Sequence, residues 1–89
     1  MIVDLPEAWT ILYADPSMQE QCWEPKEDLL QLKHHDLDRL VDLGWYQNGF
    51  AIFVFQGDFH GRQLDEFRTP DQSTALNGLH RILEKWGKP

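Results

Sequence analysis

Four histidines, one cysteine and fifteen carboxylates give the chain the raw materials of a metal or acid–base centre. Their spacing argues against one. His34-His35, followed by Asp36 and Asp38, is the densest group, but adjacent residues on a helix or strand point apart, so the two histidines do not serve one ion. No pair among Cys22, His34, His35, His60 and His80 has the spacing of a zinc site. Cys22 stands in Gln21-Cys22-Trp23-Glu24, where neighbouring acids disfavour the thiolate, so it reads as a buried or half-buried small residue. Ser17 and Ser73 lack the partner spacing of an activated nucleophile. Gly57-Asp58-Phe59-His60-Gly61 has two glycines but an aspartate and no lysine, unlike a phosphate-binding loop, and reads as a hairpin turn. The expectation is a protein that is not an enzyme, with no catalytic, cofactor-binding or metal-binding residues.

Charge is the next discriminator. The net charge is −7, and residues 1–44 carry ten acidic and three basic side chains whereas residues 45–89 carry five of each. An acidic half repels phosphate backbones and favours basic partners. Arg62 and Arg68 do not make a basic groove, so the strand aromatics are not read as a base-stacking platform and no nucleic acid is expected. Residues 1–9, MIVDLPEAW, lack the basic start of a secretory leader, and no apolar run approaches the ~20 residues that span a bilayer. One cysteine excludes an internal disulfide framework. These features predict one soluble cytoplasmic domain, residues 1–89, with no membrane partner.

Elements must position whatever surface remains. Val41 to Gln56 holds Asn48-Gly49, a strong hairpin signal because a type I′ turn needs positive φ at both central residues. With Asn48-Gly49 as the loop, Trp45 faces Ile52, Leu43 faces Val54, and Gly44 lies opposite Phe53. One face then collects Val41, Leu43, Trp45, Phe50, Ile52 and Val54, and the other Asp42, Gly44, Tyr46, Ala51, Phe53 and Phe55. A third strand follows the 57–61 turn, with a bulge near Asp65-Glu66 to bring Leu64 and Phe67 into phase. Thr69-Pro70-Asp71-Gln72 reads as a capping box with Pro70 in the first turn. Ala75, Leu76, Leu79, Ile82, Leu83 and Trp86 form one helical stripe, and Gly87 stops the helix.

The first half is ambiguous. Leu5, Ala8, Trp9, Leu12 and Tyr13 fit a helical face, whereas Trp9, Ile11 and Tyr13 fit a strand; the start Asp4-Leu5-Pro6-Glu7 favours helix. Residues 26–36 fit either element. The predicted class is α+β: an antiparallel meander of three or more strands (about 39–47, 50–56 and 62–68), a C-terminal helix over 70–86 packed on one face, and a short N-terminal helix. The helix covers the aliphatic face. The N-terminal segment, a second copy or a partner must cover the aromatic one.

The stretch from Asp42 to Thr69 resembles a pattern in immunity proteins of bacterial polymorphic toxin systems. The pattern is an aspartate and Gly-Trp-Tyr at a strand end (Asp42, Gly44, Trp45, Tyr46), Gly-Asp-aromatic (Gly57, Asp58), then Glu-Phe-x-Thr before a helix (Glu66, Phe67, Thr69). EQCWE, residues 20–24, is similar to a Cys and Trp-Glu element of one such family. The resemblance implies an inhibitor that neutralises a basic toxin domain, which agrees with the acidic half. Charge and position nominate Glu20, Glu24, Glu27, Asp28, Asp36, Asp38, Asp42, Tyr46, Phe53 and Phe55 as partner-binding residues. The alternative is a small homodimeric accessory or regulatory domain that uses the Tyr46, Phe53 and Phe55 face as its self-interface.

Overall fold

The structure is a computed structural model that describes residues 4–89, so residues 1–3 of the leader reading lie outside it. Five strands, β1 (Trp9–Ala14), β2 (Leu30–His34), β3 (Arg39–Tyr46), β4 (Gly49–Gln56) and β5 (Gln63–Thr69), form one antiparallel sheet in sequential order. A helix, α1 (Gln72–Trp86), follows. The meander and its C-terminal helix are as the sequence predicts; the N-terminal helix is not. Residues 9–14 form an edge strand, and among the described residues before β2 the only helical turn is a 3-10 turn at Pro16–Gln19. The misleading pattern has a local cause. The pairing of β1 with β2 shifts register between Ile11 and Tyr13, and the extra residue, Leu12, breaks the alternation that identifies a strand.

The central hairpin turns one residue earlier than Asn48-Gly49. Gln47 (φ 52°) and Asn48 (φ 66°) are the two central residues, and Tyr46 pairs with Gly49. Trp45 therefore faces Phe50, Leu43 faces Ile52, Gly44 faces Ala51, and Asp42 faces Phe53. Placing Gln47 in the left-handed region costs about 1–2 kcal/mol. The observed register offsets this by setting Trp45 edge-to-face on Phe50, centroids 4.8 Å apart, and by matching small Gly44 with small Ala51. Moving a two-residue turn by one position shifts the pairing by two, an even step, so both predicted faces survive intact.

The aliphatic face carries the core. Leu30, Leu32, Val41, Leu43, Phe50, Ile52 and Val54 pack beneath Ala75, Leu79, Ile82 and Leu83 of α1. Trp9, Met18, Trp23 and Leu29 join from the first half. At Gly78 a Cβ would meet the Phe67 ring at 2.6 Å, so the missing side chain lets α1 settle onto β5. The bulge in β5 lies at Gln63–Asp65, slightly earlier than expected, and Leu64 and Phe67 both reach the core. The helix starts two residues later than predicted. Asp71, not Thr69, is the N-cap and accepts from Thr74 N, while Gln72 turns away to hold residues 21–23: its Oε1 accepts from Trp23 N and its Nε2 donates to Gln21 O. At the other end, Arg39 Nη1 donates to the carbonyls of Trp86 and Lys88. Cys22 is exposed, contrary to expectation, because Trp23 takes the inward position beside it.

Candidate functional site: an acidic aromatic groove

The first half of the chain extends the sheet instead of folding over it. On the face opposite α1 the described residues leave an open groove of about 770 Å³. Its floor and walls come from Asp42, Trp45 and Tyr46 on β3, Phe53 and Phe55 on β4, Gln31 on β2, and Arg68 on β5. Glu27 and Asp28 form its acidic rim, and Phe59 reaches in from the β4–β5 loop.

Gly44 organises the acidic end. A Cβ there would collide with the Glu27 carbonyl oxygen and come within 2.7 Å of Tyr46 Cε2. Because it is absent, two groups lie across β3 at this point. The Tyr46 ring folds back, and its hydroxyl donates to Asp42 Oδ2 at 3.1 Å. The chain entering β2 also crosses here. Trp45 N donates to Lys26 O at 2.7 Å and Leu29 N to Leu43 O at 3.1 Å, so Glu27 and Asp28 form a two-residue excursion between these bonds. Sequence-distant acids thus arrive beside Asp42.

Asp42 is 4% exposed, and its Oδ1 has no hydrogen-bond partner. Burial pushes its carboxyl up to about 6; the Tyr46 hydroxyl opposes the rise, the nearby Asp28 charge adds to it, and the Gln31 side chain opposes it more weakly. Burial, followed by the charge and hydrogen bond of Asp42, raises the Tyr46 phenol well above its ordinary range. Aromatic rings continue from this end. Tyr46 and Phe53 meet at 5.7 Å, Phe53 and Phe55 at 6.3 Å, and Phe55 and Phe59 at 5.8 Å. Arg68 lies over Phe53 at 5.4 Å and is held by Glu66 through Nε at 2.6 Å.

Of the ten nominated residues, Glu27, Asp28, Asp42, Tyr46, Phe53 and Phe55 converge on the groove. The other four do not. Glu20 is exposed beyond the 3-10 turn, Glu24 pairs with Lys26, Asp36 lies in the β2–β3 turn, and Asp38 pairs with Lys33 at 2.7 Å. Charge and position along the chain nominated these four, and neither carries information about direction. Sequence reasoning missed Gln31, Phe59 and Arg68, and it placed Trp45, which reaches the groove's margin, on the aliphatic face alone. Phe59 had a usable signal, since a phenylalanine at the centre of a glycine-flanked polar turn has no core to enter. His34 is buried in a structural role, edge-to-face on Trp9 with its Nδ1 accepting from Leu37 N. Comparison with known proteins finds no matching family model, no similar curated protein and no similar solved structure. No helix among the described residues is long and apolar enough to cross a membrane.

Proposed function

We propose that the chain is a non-enzymatic acidic binding module, of the cytoplasmic inhibitor or immunity type, that takes a basic protein partner on the open sheet face. The observation that carries this reading is the groove itself: uncovered, aromatic along its length, and lined by three carboxylates against one cation that Glu66 already holds. Half-buried aromatics supply contact area with little conformational entropy to lose, and the acidic rim steers a basic partner towards them. The resemblance of residues 42–69 to immunity proteins supports the same class. Self-association through this face fits less well, because a two-fold contact sets the same acidic patch against itself.

The test begins with capture of the partner from the native cells and titration of the purified pair. The expected result is a 1:1 complex whose affinity falls with added salt. Phe53→Ser and the charge reversal Asp28→Lys each weaken it at least about tenfold, while Asp36→Lys, on a distant turn, leaves it within about twofold. A partner indifferent to the groove variants, or a tight homodimer that buries Phe53 and Phe55, overturns the reading.

A further inference from the structure

Within that reading, we infer that the acidic end of the groove is a subsite for one guanidinium group, supplied by an arginine of the basic partner and received by the free Oδ1 of Asp42. An ionised carboxylate offers about four acceptor positions. On Asp42 the Tyr46 hydroxyl occupies one at Oδ2, while Oδ1 makes no hydrogen bond and is shut off from solvent in the free protein. The arginine therefore enters as the Gln31 side chain, opposite Asp42 on β2 and close enough to oppose its pKa rise, gives way. A buried acceptor left open is a standing cost that a donor from a partner removes. The groove contains no free donor of the right charge, since Arg68 is committed to Glu66 and stacked on Phe53.

The surroundings select the kind of cation. The Tyr46 ring flanks the carboxylate and Phe53 lies directly across the strand pair from it, giving apolar walls beside an anionic floor. A guanidinium is planar, weakly hydrated and able to stack while donating along its edge; an ammonium is compact and strongly hydrated. A hard divalent ion requires six or more oxygens, and no group of three or more ligating residues able to hold a metal occurs among the described residues. Glu27 and Asp28 at the rim offer further acceptors to the other guanidinium nitrogens.

The groups facing Asp42 also make the subsite sensitive to pH. They are Asp28 from the segment before β2, Gln31 on β2 and Tyr46 on β3, with Glu27 acting on Tyr46; β4 presents the uncharged Phe53, and Arg68 on β5 lies beyond that ring. The free carboxyl titrates at about 6, whereas the bound form must be ionised. Binding below that pH therefore expels a proton, and affinity falls as pH drops.

The test titrates the full chain with ethylguanidinium chloride, and separately with propylammonium chloride at matched ionic strength, following the Asp42 carboxyl carbon and the Tyr46 ring by NMR. The expected result at about pH 7.5 is a saturable shift at both groups, with binding at least about fivefold weaker at pH 5 and absent in Asp42→Asn. Propylammonium is expected to bind at least about threefold more weakly. An unchanged amide spectrum away from the groove shows that the variant is folded. No saturable shift at Asp42, an unchanged response in the variant, or equal binding of the two cations overturns the inference.

A peptide of alternating arginine and glycine separates this subsite from the wider reading. If it binds the groove equally well in wild type and Asp42→Asn, the subsite fails and the docking face stands. If ethylguanidinium titrates Asp42 but the native partner ignores Phe53→Ser, the partner reading fails and the subsite stands.

Discussion

Asp15 and Asp42 are both almost fully buried, at 3% and 4% exposure, and their surroundings could hardly differ more. Asp15 caps the 3-10 turn. Its Oδ2 accepts from Ser17 N at 3.0 Å, and its Oδ1 meets Lys26 Nζ at 3.2 Å. The Ser17 side chain, then the Ser17 backbone, then Lys26 hold its carboxyl below the usual range, against the effect of burial. Asp42 has only the neutral Tyr46 hydroxyl and, more weakly, the Gln31 side chain to oppose burial, an oxygen that makes no hydrogen bond, and the charge of Asp28 nearby, and burial prevails. The first aspartate is satisfied by the fold. The second is satisfied only in part, at the edge of the open groove. That buried carboxylate, left open where the chain had donors to offer elsewhere, is the feature on which the proposed arginine subsite rests.

The strongest way to break this contrast is Gly44→Ala. The added methyl collides with the Glu27 backbone, displaces the Tyr46 ring and disrupts the acidic end. A loss of about 3 kcal/mol in chemical denaturation is expected, with the Tyr46 signal most changed. Next is Asp15→Ala, which removes a cap and leaves Lys26 without its buried partner. The melting temperature should fall by about 5–10 °C near neutral pH. The sign differs between the two aspartates. Asp15 has a depressed folded pKa, so its contribution is present above the unfolded carboxyl range and fades as pH falls below it.

Asp42 behaves in the opposite sense. Its folded pKa, about 6, exceeds the unfolded value, so its contribution is complete below about pH 4 and is lost as pH rises through 6. Asp42→Asn should therefore stabilise the free protein by about 1–2 kcal/mol at pH 8, after allowance for solvent in the groove, and change little at pH 4. Denaturant midpoints at the two pH values decide this, and destabilisation at pH 8 would mean that the fold needs the charge. Lys26→Met has the smallest expected effect, a fall of about 2 °C or less, because the lysine is half-exposed and water replaces it in part.

The same contrast explains what the sequence could reveal. The helix stripe, both hairpin faces and the β5 bulge were legible because they rest on periodicity. Periodicity even survived an error in the turn, since Gln47-Asn48 in place of Asn48-Gly49 shifts the pairing by an even step. β1 was misread where Leu12 interrupts that periodicity at a sheet edge. The groove was legible in half: Asp42, Tyr46, Phe53 and Phe55 lie on predicted strands, so their common face could be counted. The arrival of Glu27 and Asp28 depends on two backbone bonds, Trp45 to Lys26 and Leu29 to Leu43, that join residues far apart in sequence, which no local pattern encodes. Charge nominated them only along with Glu20, Glu24, Asp36 and Asp38, which point elsewhere.

The excursion at residues 27–28 is held by its flanks: the Lys26 carbonyl and the Leu29 amide make the bonds to β3. The fold therefore reads the main chain at this point and is indifferent to which side chains hang from it. Positions 27 and 28 can be rewritten in size, polarity or charge with little effect on folding, while each change alters the lip of the groove. That separation makes this short segment the natural place for descendants of the chain to diverge in what they recognise, and the natural place for a library when a new partner is wanted.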